Sequence, residues 1–106
     1  MRVLLDSNLP RAFAGLLPGH RTETTHQRRW SDLDDGPLLR AAADEFDAFI
    51  TMDQSLRFQQ NLIGSPLRIV VVRASSNRLA ALAPAAPLVL DALVSMQPGE
   101  LRVVSL

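Results

Sequence analysis

Apolar residues recur along this chain with two different periods, and the alternation between them outlines the fold. Val3-Leu4-Leu5 is a short apolar run stopped by Asp6-Ser7-Asn8, the pattern of a buried strand. Leu9, Phe13, Leu16 and Leu17 then fall at helical spacing, with Pro10 tolerated in the first turn and Pro18-Gly19 as the stop. The threonine-rich stretch Arg21 to Thr25 predicts a second, less buried strand, followed by a loop from His26 to Leu33. Asp35 ahead of Gly36-Pro37 has the character of an N-cap, and Leu38, Leu39, Ala42, Ala43 and Phe46 form the apolar stripe of a helix that ends near Phe46. Ala48-Phe49-Ile50-Thr51 predicts a third strand. A polar segment compatible with a helix continues from Met52 to Asn61 and stops at Gly64-Ser65-Pro66. Ile69-Val70-Val71-Val72 is uninterrupted and β-branched, as expected at the centre of a sheet buried on both faces. After the polar turn Ala74 to Asn77, a helix begins at Arg78, is interrupted or restarted at Pro84 and Pro87, and carries its apolar face on through Val89, Ala92, Leu93 and Met96. Pro98-Gly99 ends it, and Leu101 to Leu106 predicts the last strand.

Strands alternating with helices predict a three-layer α/β domain: a mainly parallel central sheet of about five strands with helices on both faces. The last strand has the alternative of an antiparallel edge. At 106 residues the chain fits a single domain spanning 1–106. In such sheets ligands bind outside the carboxyl ends of the strands, so the chemistry is sought there.

Three carboxylates fall at that edge. Asp6 follows the first strand, Asp53 follows the third, and Asp35 joins them if its helix starts on the same side, with Asp34 an alternative one residue away. Carboxylates crowded into one volume repel and raise one another's pKa unless a cation neutralises them. Mg²⁺ or Mn²⁺ suits hard oxygen donors, and such ions support phosphodiester cleavage without a side-chain nucleophile. Asn8, Arg57, Asn77 and Arg78 lie beside the same edge and are assigned to substrate contacts. Gln59, Gln60 and Asn61 are further polar neighbours. Each of these positions has a plainer role too: Asp6, Asn8, Asp35, Asp53 and Asn77 all suit helix caps, and the joint pattern carries the assignment. Neutralising Asp6 or Asp53 is expected to leave the fold intact, because it relieves repulsion.

Composition narrows the alternatives. Cysteine is absent, which removes disulfides, thiolate nucleophiles and zinc-thiolate sites. His20 and His26 lack the spacing of a metal-binding helix and read as surface or turn residues, and no glycine cluster suggests a phosphate loop. No apolar run approaches the length of a membrane span, and Asp6 breaks any N-terminal signal region, so a cytoplasmic protein is expected. Eleven basic residues balance eleven acidic ones, so nucleic-acid binding has to be local. Every basic residue is arginine, which suits bidentate phosphate contacts and is also what genomic base composition alone can produce. Trp30 beside Arg28 and Arg29 could stack on a base or cover the core from its loop.

Asp6-Ser7-Asn8-Leu9-Pro10 after an apolar strand, Asp35-Gly36 opening a helix and Thr51-Met52-Asp53 after another strand together resemble the PIN-like domain family over nearly the whole chain. The closest likeness is to a short bacterial branch beginning D-x-N-L-P, regarded as nucleases and toxin components of toxin–antitoxin pairs. The resemblance implies a Mg²⁺- or Mn²⁺-dependent endoribonuclease with Asp6, Asp35 and Asp53 as catalytic metal ligands, RNA as substrate and an antitoxin protein as partner. The thin acidic set and the neutral charge support the alternative of a catalytically weak or inactive PIN-like module binding RNA or a protein partner. Ser75-Ser76-Asn77 stands where the family often carries another acidic residue. Small PIN domains often pair, and the apolar Leu79 to Leu93 segment offers either a homodimer interface or core. A phosphate-handling domain of receiver-like architecture, with Asp53 as acceptor, is disfavoured by the lack of any lysine.

Overall fold

A computed structural model describes residues 1–58 and 64–106, with the backbone alone for 57 and 58. The predicted contacts of Gln59, Gln60 and Asn61, and of the Arg57 side chain, lie outside the described residues. Five strands form one sheet: β1 (Arg2–Leu5), β2 (Arg21–Thr24), β3 (Ala48–Thr51), β4 (Arg68–Arg73) and β5 (Leu101–Ser105). Their order is β2-β1-β3-β4-β5 and every neighbouring pair is parallel, including β4 with β5, so the antiparallel alternative for the last strand does not hold. The helices are α1 (Asp35–Glu45), α2 (Leu79–Leu82) and α3 (Ala86–Ser95), with 3-10 turns at Arg11–Leu16, Gln54–Phe58 and Ala83–Ala85.

Because side chains alternate along a strand, β1, β3 and β4 each feed two cores. Val3, Leu5, Ala48, Ile50, Val70 and Val72 pack with Phe13, Leu17, Leu82, Val89 and Leu93 on one face. Leu4, Phe49, Ile69 and Val71 pack with Leu38, Leu39, Ala42 and Phe46 of α1 on the other. The result is a three-layer α/β domain. β3 is buried at all four positions, which explains why Ala48, Phe49 and Ile50 run apolar without alternation before the buried hydroxyl of Thr51 ends the strand.

The connection after β1 departs from the α-helix expected between Leu9 and Leu17. It is a single 3-10 segment with Pro10 at its N-cap, and neither Asp6 nor Asn8 caps it. Phe13 and Leu17 still reach the core from this short turn. The Leu79 to Leu93 segment supplies core through Leu82, Ala85, Val89 and Leu93, while Leu79 and Leu88 on its outer side are exposed. Before β5 the chain turns at Gly99 with φ +84°, and a Cβ there would stand 2.7 Å from the Ser65 carbonyl oxygen, so only glycine fits. Among the described residues no helix is long and apolar enough to cross a membrane.

Trp30 covers the core. Its ring meets Phe46 edge-on at 6.2 Å, and the Arg28 guanidinium lies over both rings while pairing with Glu23 at 2.9 Å and Glu45 at 2.8 Å. This clamp fastens the loop after β2 to α1. Phe13 is fully buried and is the largest side chain that the 3-10 turn contributes. Replacing it with alanine is expected to cost about 3–5 kcal/mol of stability, read from urea unfolding. A loss within experimental error would show that the turn does not anchor that face of the sheet.

Candidate functional site

With five parallel strands, every strand delivers its carboxyl end to one edge. The strand order reverses between β1 and β3, the place where open α/β sheets generally hold their ligand crevice. Asp6 stands on one side of that crevice, immediately past β1, and its own N–H donates to the Ile50 carbonyl of β3 at 2.9 Å. Thr51 ends β3 on the other side, two residues before Asp53.

The Thr51 hydroxyl is fully buried and joins the two loops. It donates to Asp6 Oδ2 at 2.7 Å and accepts from the Asn8 amide at 3.2 Å and from the Asp53 backbone N–H at 3.0 Å. Asn8 Oδ1 accepts the Met52 N–H at 3.1 Å, and Asn8 Nδ2 also approaches Asp6 Oδ2 at 3.4 Å. Asp6 Oδ1 accepts the Ser7 N–H at 2.8 Å. Asn8, assigned above to substrate, thus has its amide engaged in bracing one loop against the other. Neutralising Asp6 touches fold as well as charge, since an asparagine amide would face the Thr51 and Asn8 donors. The expectation of an unaffected fold therefore suits Asp35 better than Asp6.

Asp53 does cap the 3-10 turn that follows it: Oδ1 accepts both the Ser55 N–H at 3.0 Å and the Ser55 hydroxyl at 2.7 Å. Gln54 Nε2 donates to the carbonyls of Met52 at 3.2 Å and Val72 at 3.1 Å, fixing this turn to the end of β4. Asp53 Oδ2 has no hydrogen-bond partner among the described residues.

Asp35 is the first residue of α1, not its cap; Asp34 occupies the N-cap position and makes no side-chain capping bond. The Asp35 carboxyl is held above the ordinary carboxylate range, chiefly by burial and then by the negative charges of Asp53, Asp6 and Asp34. Asp35 is therefore within electrostatic reach of both Asp6 and Asp53. Among the described residues, however, no three acidic or histidine side chains are close enough to ligate one ion together. Asn77 and Arg78 follow β4 at the same edge and are exposed, with Arg78 at the N-cap position of α2 and no side-chain cap.

A cavity of about 410 Å³ opens beside Asp6 and is lined also by Leu9, Arg11, Thr24, His26 and Gln27. A second, of about 510 Å³, lies by Arg73 and Ser75 at the ends of β4 and β5, away from the carboxylates. The role of Thr51 and the grouping around the first cavity escape sequence reasoning. Only the lone hydroxyl ending an apolar strand hints at the former. No protein-family model, curated protein or solved structure matches the chain.

Asp35 makes the site's electrostatics measurable. Its folded pKa lies above the unfolded value, so its ionisation opposes folding at neutral pH, and that penalty disappears as pH falls below the ordinary carboxylate range. Without added divalent cation, Asp35→Asn should melt at a higher temperature than wild type at neutral pH, and the gap should close on acidification. A gap independent of pH would contradict the raised pKa of Asp35.

Proposed function

We propose that this protein is a metal-dependent endonuclease that cleaves RNA phosphodiester bonds at the crevice between β1 and β3. One observation carries the reading: at the strand-order reversal of the sheet the Thr51 hydroxyl ties Asp6 to the backbone of Asp53, and burial followed by the charges of these two residues raises the pKa of Asp35. The donor chemistry fits a hard divalent ion. Asp35 accepts no hydrogen bond among the described residues, and Asp53 keeps one oxygen uncommitted. Mg²⁺ is held through one or two carboxylates, retained waters and substrate phosphate, so a preformed cluster of three direct ligands is not required of this site.

Asp6, Asp35 and Asp53 would hold Mg²⁺ or Mn²⁺, which would supply activation of a water and charge stabilisation at the phosphate. The chain provides the frame. Asp53 presents its free oxygen from a turn fixed to β4 by Gln54, and Asp6 is oriented by the Thr51 hydroxyl and the Ser7 N–H. Asp35 adds charge from the start of α1. Exposed Asn77 and Arg78 are available to phosphates at the same edge. Support for RNA as the polymer, for a toxin role and for an antitoxin partner comes from the resemblance of Asp6-Ser7-Asn8-Leu9-Pro10 and its companion motifs to PIN-like domains.

A second reading, a module that binds RNA without cutting it, is favoured by the lack of a three-ligand cluster among the described residues. Incubation of purified protein with single-stranded RNA and Mn²⁺ separates the two. The nuclease reading predicts cleavage that requires the metal and falls at least about a hundredfold in Asp53→Asn, the scale of losing a group that acts on the transition state. RNA retained intact at every metal concentration would give the site to the binding module. Full activity in the variant would remove Asp53 from the site.

A further inference from the structure

We infer that the cavity between the ends of β1 and β2 is a subsite for one nucleotide unit, with Arg11 as its phosphate-binding residue and His26 as a second polar contact. The identification of that unit as part of a substrate strand rests on the nuclease reading, but occupancy of the cavity does not.

The cavity is built from distant parts of the chain that the parallel β1–β2 pairing brings together. Leu9 and Arg11 come from the turn after β1, and Thr24, His26 and Gln27 from the end of β2 and its loop. Its volume of about 410 Å³ falls in the range of small-molecule sites, which span about 300–1,000 Å³. Leu9 supplies apolar wall for a ring, while Thr24, Gln27 and Asp6 are engaged in hydrogen bonds within the protein. Among the described residues the Arg11 guanidinium has no ion pair or hydrogen bond, and neither does the His26 imidazole; both residues are exposed. Arg28 and Arg102, by contrast, are paired with carboxylates. A free guanidinium beside a void favours a phosphate, which it can grip bidentately.

The walls are fixed before any ligand arrives. Gln27 Oε1 accepts the Thr24 N–H at 2.8 Å, and the Gln27 N–H donates to the Thr24 hydroxyl at 3.0 Å. The Trp30 N–H donates to the Thr25 carbonyl at 2.8 Å, and the Arg28 clamp on Phe46 secures the loop beyond. Such preorganisation lowers the entropic cost of binding. Asp6 belongs to both this cavity and the acidic crevice, so a strand lying across the crevice places an adjacent nucleotide here. Two negative centres then face different groups, the cleaved phosphate at the carboxylates and its neighbour at Arg11.

The test uses metal-free protein, read by NMR shifts on titration with adenosine monophosphate, uridine monophosphate and inorganic phosphate. The nucleotides should shift resonances of Arg11, Thr24 and His26 and bind more tightly than inorganic phosphate. Arg11→Gln should weaken nucleotide binding about tenfold, as loss of one charge-assisted contact would, and His26→Gln should weaken it less. In Mn²⁺-dependent cleavage, Arg11→Gln should raise KM with kcat little changed, because the contact lies off the reacting bond. Nucleotide binding lost in Arg11→Gln, in a protein that never cleaves RNA, would uphold the subsite while the nuclease reading fails. Cleavage with unaltered KM and nucleotide affinity in Arg11→Gln would overturn the subsite and leave the nuclease standing. Inorganic phosphate bound as tightly as the nucleotides would overturn it too.

Discussion

The buried hydroxyl of Thr51 holds the two halves of the crevice together, and the arrangement of the site follows from it. A threonine at the end of a fully buried strand carries a polar group that must be satisfied inside the protein. Here it is satisfied three ways, by Asp6, by Asn8 and by the Asp53 N–H, and each of those partners comes from a loop leaving β1 or β3. One buried group therefore sets both the position of Asp6 and the path of the chain into Asp53. Because a hydroxyl offers a single proton, donation to Asp6 leaves it to accept from the other two, so the network has a direction as well as a geometry.

That frame holds like charges near each other, and the surroundings share the load unequally. Asp6 is answered by a hydroxyl, an amide and a backbone N–H, and Asp53 by the serine two residues on. Asp35 receives no such partner among the described residues, and its pKa is raised by burial and by its acidic neighbours. On the proposed reading, stability and cation binding pull in opposite directions at this point, since the repulsion that weakens the fold is what a divalent cation would relieve. The arginine-bearing cavity on the far side of Asp6 adds the opposite charge within the same edge, which suits a polyanion better than the net charge of zero suggests.

Much of this architecture was legible in the sequence because burial writes itself into periodicity. The β-branched run from Ile69 to Val72 reads as a central strand and is one, flanked by β3 and β5. The stripe through Leu38, Leu39 and Ala42 marks the face of α1 that meets the sheet. Alternation says nothing about which strands are neighbours, so the reversal between β1 and β3 could not be read, nor could the parallel pairing of β5. The segment from Leu9 to Leu17 has helical spacing but only a 3-10 turn, since Pro10 and Pro18 confine it and two apolar contacts, Phe13 and Leu17, suffice to cover the sheet. Among the candidate carboxylates, Asp6 and Asp53 were picked out by their place just past strands, and Asp35 by its place at the start of a helix. Asn8 looked like a ligand contact because an amide beside a carboxylate suits either task, and only the Met52 and Thr51 contacts reveal its bracing. The cavity around Arg11 and His26 left no local signature, being assembled across the β1–β2 pair.

The central claim is that the loops after β1 and β3 and the start of α1 form one cation-binding unit. Backbone NMR during Mg²⁺ titration tests it most directly, without depending on turnover. The account predicts saturable shifts at millimolar ion, concentrated at residues 6–8, 34–36 and 51–55, and weakened together when Asp53 is replaced by asparagine. An absence of saturable shifts, or shifts centred on a different edge of the sheet, would contradict it.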